Sequence, residues 1–249
     1  MDIHKWQPEN FLSSEEPCEP YACIILNRPI HFEPIVFQSL WKNAKCRVLV
    51  DGGANRWFDY VAKHNLQDVI EPPTFCTGDM DSITDESIKR LNQMNCQLIE
   101  TPDQDETDCT KSVFTMSPFF IADNIKNILM FTDFGGRIDH TLSQINTLYK
   151  TLSKEMRVYL ISHDTLSWLL CSGQNEIQIP QKLVNDQVWC SYIPMSGKTS
   201  VTTRGLKWDL TDGTVEFGGI ISSSNTYKDT IVSIQSDKYL FWSMGTQKE

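Results

Sequence analysis

The chain has 249 residues, of which 40% are hydrophobic and 22% charged, enough apolar content for a substantial core and too much for general disorder. Lys plus Arg number 22 and Asp plus Glu 32, so the formal net charge is −10. That balance argues against a nucleic-acid backbone or an anionic membrane as principal partner. It leaves phosphate ligands open, because a bound cation reverses the local sign.

In chain order, residues 1–20 hold three prolines and five acids and read as a loose leader. Met1-Asp2-Ile3-His4-Lys5-Trp6 lacks the apolar stretch of a signal peptide, and no run approaches the ~20 apolar residues that span a bilayer. Short apolar runs at 21–26, 47–50, 73–77, 97–100, 127–132 and 156–162 are candidate strands. Helical patterns separate them. Phe32, Ile35, Val36, Leu40 and Trp41 share one spacing, and Ile138, Leu142, Ile145, Tyr149 and Leu152 another, on a helix starting near Arg137. Thr84 is placed to cap a helix over Asp85-Glu86 and Ile88–Leu91. Strands alternating with helices describe a mostly parallel α/β sheet over residues 21–171. From 172 to 249 the texture is β-rich, with turn signals at Ser196-Gly197, Asp212-Gly213 and Gly218-Gly219, and reads as a β-sandwich.

The eight cysteines form no C-x-x-C pair, and several lie in apolar runs, as in Ala22-Cys23-Ile24-Ile25-Leu26. They read as small buried thiols of a reducing compartment, which fits a cytoplasmic protein. Neither cysteine nor histidine shows zinc-ligand spacing. The dinucleotide fingerprint G-x-G-x-x-G is absent. Ser196-Gly197-Lys198-Thr199 resembles the end of a P-loop, but Tyr192 stands where the first glycine is required.

The charge is concentrated. From Asp68 to Asp108 there are eleven acids and two bases, Lys89 and Arg90, a net −9. Ligands of open parallel sheets bind beyond the carboxyl ends of the strands, and here four successive ends run into acids. They are Asp51-Gly52-Gly53-Ala54-Asn55, Gly78-Asp79-Met80-Asp81, Asp103-Gln104-Asp105-Glu106-Thr107-Asp108 and Asp133 to His140. Carboxylates crowded on one rim repel, and a divalent cation removes the repulsion. Hard oxygen ligands select magnesium or calcium, and magnesium is typically shared with substrate phosphates. Lys111 and Arg137 are bases suited to phosphate, and Gly52-Gly53 and Gly135-Gly136 admit close approach of a ligand.

DGGAN (51–55), TGDMDS (77–82), TPDQDETDCTK (101–111), GGRIDH (135–140), GLKWDL (205–210) and SSNTY (223–227) occur together, in order. In these motifs the chain resembles the eukaryotic thiamine pyrophosphokinases. The resemblance implies an α/β domain followed by a β-sandwich, a homodimer with active sites shared between chains, and transfer of a pyrophosphoryl group from ATP to the thiamine hydroxyl. It implies that Asp79, Asp81 and Asp108 handle Mg²⁺ and phosphate, with Gln104, Arg137 and Asp139 completing the catalytic set. Asp51, Gly52, Asn55, Lys111 and His140 are expected to contact substrate, as are Thr202, Ser224 and Asn225 in the sandwich. His140 falls where some members carry Gln. A tryptophan in a strand is core by default, and the resemblance instead makes Trp208 the aromatic platform for thiamine. Either Asp108 or Asp139 is a candidate acceptor of the alcohol proton. Competing readings are a related Mg-dependent kinase or phosphohydrolase, and a non-catalytic thiamine diphosphate-binding protein.

Overall fold

A computed structural model describes residues 3–12, 17, 19–154 and 156–248. The elements, in order, are β1 (Ile3–Trp6), α1 (Glu9–Leu12), β2 (Tyr21–Ile25), α2 (Pro34–Asn43), β3 (Cys46–Val50), α3 (Gly53–Lys63), β4 (Phe75–Gly78), α4 (Asp85–Gln93), β5 (Gln97–Glu100), α5 (Asp108–Ala122), β6 (Asn127–Phe131), α6 (Ile138–Lys150) and β7 (Arg157–Ile161). They continue with β8 (Thr165–Leu170), β9 (Gly173–Gln178), α7 (Gln181–Asn185), β10 (Trp189–Ile193), β11 (Thr199–Arg204), β12 (Gly213–Val215), β13 (Ser222–Thr226), β14 (Ile231–Ser236) and β15 (Leu240–Gly245). No helix among the described residues is long and apolar enough to cross a membrane.

The chain divides into two units, Glu16–His163 and Met1–Glu15 with Asp164–Glu249. In the first, the described strands run parallel in the order β7-β6-β2-β3-β4-β5. The central strands β2 and β6 are buried at every position, as expected where helices cover both faces of a parallel sheet. Two helices turn differently from the periodicity. α2 buries Phe37, Leu40 and Trp41 but leaves Ile35 and Val36 exposed, and α6 buries Ile145 and Leu148 but leaves Ile138 and Leu142 exposed. Thr84 caps α4 as expected, its Oγ1 accepting from the Ser87 amide at 3.2 Å.

The second unit has one sheet of order β1-β9-β14-β11-β12 and four strands of order β13-β10-β15-β8. Trp6 on β1 and Trp168 on β8 meet with ring centroids 5.8 Å apart, which sets one sheet against the other. Two sequence expectations differ here. Residues 3–6, read as part of a loose leader, form β1, parallel to β9. Trp6 is buried there, and its Nε1 donates to Asn175 Oδ1 at 3.0 Å. The prolines and acids around it describe local chain preference, whereas the strand is made by a partner about 170 residues away. The break expected at residue 171 lies at 163 instead. The run Leu166 to Leu170 belongs to β8, which pairs antiparallel with β15 from Leu170 opposite Leu240 to Thr165 opposite Gly245.

Candidate active site

The carboxyl ends of β2, β3, β4 and β5 open on a cavity of about 560 Å³, within the range usual for small-molecule sites. Asp51 begins the turn from β3 into α3 with φ +46°. Its amide donates to Thr77 O at 2.8 Å, and its Oδ1 accepts from the amides of Ser82 and Ile83, each at 3.1 Å. The carboxylate is thereby held against the loop after β4. Gly78 makes this possible: it has φ +147°, and a Cβ there would lie 2.7 Å from Asp51 Cβ. Gly52 is buried at the N-cap of α3, where a Cβ would meet Asn27 Nδ2 at 2.3 Å.

Asp79 follows β4 and accepts from Gln104 Nε2 at 3.0 Å. Asp108 is the first residue of α5, whose cap is Thr107. The carboxylates of Asp51, Asp79 and Asp108 each offer an oxygen within 4.8 Å of the others. Lys111 Nζ lies 2.8 Å from Asp108 Oδ1 and 3.8 Å from Asp79 Oδ2. It also donates to Thr101 O at 3.1 Å and Asp103 O at 2.8 Å. Three carboxylates and one ammonium leave a net −2, the complement of one divalent cation.

The titration directions follow from these contacts. The Gln104 hydrogen bond draws the Asp79 carboxyl below the ordinary range, with help from Lys111 and against burial. Burial pushes Asp108 up; its pair with Lys111 opposes this, while the charges of Asp79 and Asp51 add to it. Burial alone would lower Lys111, but Asp108, Asp79 and Asp103 outweigh it, and the ammonium is held above its ordinary value.

The expected metal set was Asp79, Asp81 and Asp108, and the close set contains Asp51 in place of Asp81. Asp81 lines the same cavity but is exposed, with Oδ1 accepting from the Ser82 hydroxyl at 2.7 Å. His140 and Gln104 also line it. Asn55 does not. Its Oδ1 accepts from the Thr84 amide at 3.1 Å and its Nδ2 donates to Ser82 O at 2.8 Å, so it braces α3 to the loop before α4. Arg137 and Asp139 pair with each other at the start of α6, Nε to Oδ1 at 3.1 Å, exposed and outside the cavity lining. The Arg137 hydrogen bonds hold Asp139 down at about 2. Sequence reasoning passed over Asn27 and Arg28, which line the cavity just after β2. The strand-end rule that found the acids applies to them equally; their lack of negative charge hid them.

In the β unit, Trp208 is 56% exposed and is therefore not a core residue. Buried Asn225 fixes its backbone from both sides, accepting from Trp208 N at 3.2 Å and donating to Trp208 O at 2.9 Å. Lys207 Nζ lies 4.7 Å from the centroid of the Trp208 ring. Thr202 Oγ1 donates to Asp212 Oδ1 at 3.2 Å, and Ser224 is exposed on β13.

Residues 37–160 match the family model described as the thiamin pyrophosphokinase catalytic domain, and residues 174–241 match its vitamin B1 binding domain. Thiamine pyrophosphokinase 2 of Arabidopsis thaliana is 34% identical over 261 residues, spanning 100% of this chain and 95% of the relative. Thiamine pyrophosphokinase 1 of Oryza sativa subsp. japonica is 34% identical, covering 93% and 89%. The solved thiamin pyrophosphokinase from Candida albicans superposes with a TM-score of 0.85 at 24% identity, covering 98% of this chain and 93% of that one. The yeast enzyme superposes with 0.83 at 22% identity, covering 98% and 92%. With both domain models matched in order and relatives alike along nearly their whole length, the chain belongs to the thiamin pyrophosphokinase family.

Proposed function

We infer that the acidic cavity of the α/β unit holds the phosphate chain of ATP together with Mg²⁺, and that Trp208 of the β unit is the platform for thiamine. The activity is that of the family: a pyrophosphoryl group passes from ATP to the hydroxyl of thiamine, giving thiamine diphosphate and AMP. The observation that carries the placement is the trio Asp51, Asp79 and Asp108 within 4.8 Å beside Lys111, at the carboxyl edge of a parallel sheet. Asp79 and Asp108 are the proposed metal ligands, with Asp51 the third carboxylate the geometry offers and Asp81 facing the same space. A bound Mg²⁺ would neutralise phosphate charge and align the β-phosphorus for in-line attack.

The side chains have separable duties. Gln104 orients Asp79, and Lys111 keeps Asp108 and the 101–103 loop in place. Of the two carboxylates considered as acceptor of the thiamine proton, Asp108 lines the cavity and Asp139, paired with Arg137, does not. The exposed face of Trp208 offers stacking and a cation–π contact to the thiazolium, and Asn225 positions it.

A homodimer with shared sites is part of this reading. Its support is the set of large apolar side chains left exposed: Trp208, Phe217, Ile220 and Ile221 in the β unit, and Ile138 and Leu142 on α6. A cytoplasmic location is proposed on the buried free thiols Cys23, Cys46, Cys76, Cys96, Cys109 and Cys190. Incubation with ATP, Mg²⁺ and thiamine, followed by separation of nucleotides, tests the function. AMP with thiamine diphosphate is expected, and ADP or free phosphate as the product refutes it.

A further inference from the structure

The parallel sheet changes direction between β2 and β6. The chain leaving β2 crosses through α2 to β3 on one side, and the chain leaving β6 crosses through α6 to β7 on the other. The crevice beyond such neighbouring strand ends is where ligands of open α/β sheets bind. Arg28, three residues past the end of β2, reaches across it toward the loop after β6. Its Nη1 lies 3.7 Å from the position a Cβ would take on Gly136. The residue lines the cavity, yet its Nη2 is buried and has no hydrogen-bond partner among the described residues.

A guanidinium nitrogen withdrawn from water without an acceptor is unfavourable, and native proteins keep such groups where something else supplies the acceptor. The other cations near the site are committed. Lys111 donates to Thr101 O and Asp103 O and forms an ion pair with Asp108, Nζ to Oδ1 2.8 Å. Arg137 is paired with Asp139 and lies outside the lining. The rim therefore divides by charge: carboxylates after β3, β4 and β5, and an unspent cationic donor after β2.

We propose that Arg28 binds a phosphate oxygen of the ATP chain, from the switch-point side of the cavity. This rests on the reading of the cavity as the ATP site. A planar guanidinium suits phosphate because it presents parallel donors of fixed geometry.

The test uses the full chain with Mg²⁺. KM for ATP and thiamine, inhibition by inorganic tripolyphosphate, inhibition by adenosine, and Tm are measured for wild type, Arg28→Ala, Arg28→Met and Arg28→Lys. In the Ala and Met variants, KM for ATP and the inhibition constant of tripolyphosphate should rise about 10- to 100-fold. KM for thiamine and inhibition by adenosine should hold, and Lys should recover part of the loss. Tm should be unchanged or higher, since the deleted Nη2 leaves no protein partner behind. Arg28→Met keeps an unbranched apolar stem should Ala disturb packing. Wild-type ATP and tripolyphosphate constants in both Ala and Met variants overturn the proposal. So does an equal weakening toward thiamine with a lower Tm, which marks a structural residue. If wild type neither responds to tripolyphosphate nor forms AMP, the ATP-site reading itself falls and takes this inference with it.

Discussion

Replacing Asp51 by Asn separates a cation site from a merely structural acid. The side-chain carbonyl of the substituted asparagine can still accept from the Ser82 and Ile83 amides, so the loop after β4 keeps its anchor. What disappears is one charge from a trio within 4.8 Å. Two unit charges at that separation repel by about 3 kcal/mol at an effective dielectric of 20. Lys111, 2.8 Å from Asp108 and 3.8 Å from Asp79, already offsets part of this. Without metal, Asp51→Asn should therefore stabilise the protein by about 1–3 kcal/mol, each kcal/mol appearing as roughly 2–4 °C in Tm. With Mg²⁺ the sign reverses. Wild type gains stability by mass action, and the variant gains less because its affinity is lower by about tenfold or more. Melting curves in EDTA and across a Mg²⁺ titration give both arms from one instrument. A lower Tm in EDTA combined with an unaltered Mg²⁺ response would show that Asp51 only anchors the loop, and the cation site would have to be abandoned. Asp81→Asn is the comparator. Because Asp81 lies outside the trio, its Tm in EDTA should move little; a loss of Mg²⁺ affinity equal to that of Asp51→Asn would mean that Asp81 swings in to ligate.

Trp208→Ala should raise KM for thiamine about 5- to 150-fold while KM for ATP holds, and Trp208→Phe should recover much of the loss. Because the ring is 56% exposed, the stability cost should stay under about 2 kcal/mol, well below that of truncating a core tryptophan; a large fall in Tm with unchanged thiamine affinity would return Trp208 to the core. Asn225→Asp keeps the shape but loses the donor to Trp208 O and buries a charge, so both Tm and thiamine affinity should fall, measured on the same preparation. Burial pushes the thiols of Cys46, Cys76, Cys96, Cys109 and Cys190 up to about 12. At pH 8 only about one in 10⁴ is thiolate, so labelling of the native protein by iodoacetamide should be slow, rise about tenfold per pH unit, and become fast only on unfolding. Rapid stoichiometric labelling at pH 8 would contradict the packing.

The parallel sheet was legible because its central strands are apolar on both faces. The runs 21–26 and 127–132 became Tyr21–Ile25 and Asn127–Phe131. Its acids were legible because a strand end is a position in the chain. Side-chain direction was not. Both Asp51 and Asp81 line the cavity, but φ +46° and the amides of Ser82 and Ile83 aim Asp51 into the close trio, while Asp81 stays exposed with its Oδ1 on the Ser82 hydroxyl. Nor does spacing tell which face of α2 or α6 meets the sheet, and so Ile35, Val36, Ile138 and Leu142 were expected inside and lie outside.

By itself the sequence determined what depends on composition and order: an α/β unit ahead of a β unit, acids on one rim, and motifs sufficient to name a family. These are local properties, written in periodicity and in the residues that follow each strand. Tertiary structure decided what depends on partners distant in the chain. Ile3–Trp6 is a strand only because β9 lies beside it, and Leu166–Leu170 belongs to the β unit only because β15 pairs with it. Lys111 is turned toward the 101–103 carbonyls and Asp108 only because folding brings them together, while nothing described meets the Nη2 of Arg28. Whether a charge is spent or available is set by the groups that folding brings within about 3 Å, and no spacing along the chain encodes that distance.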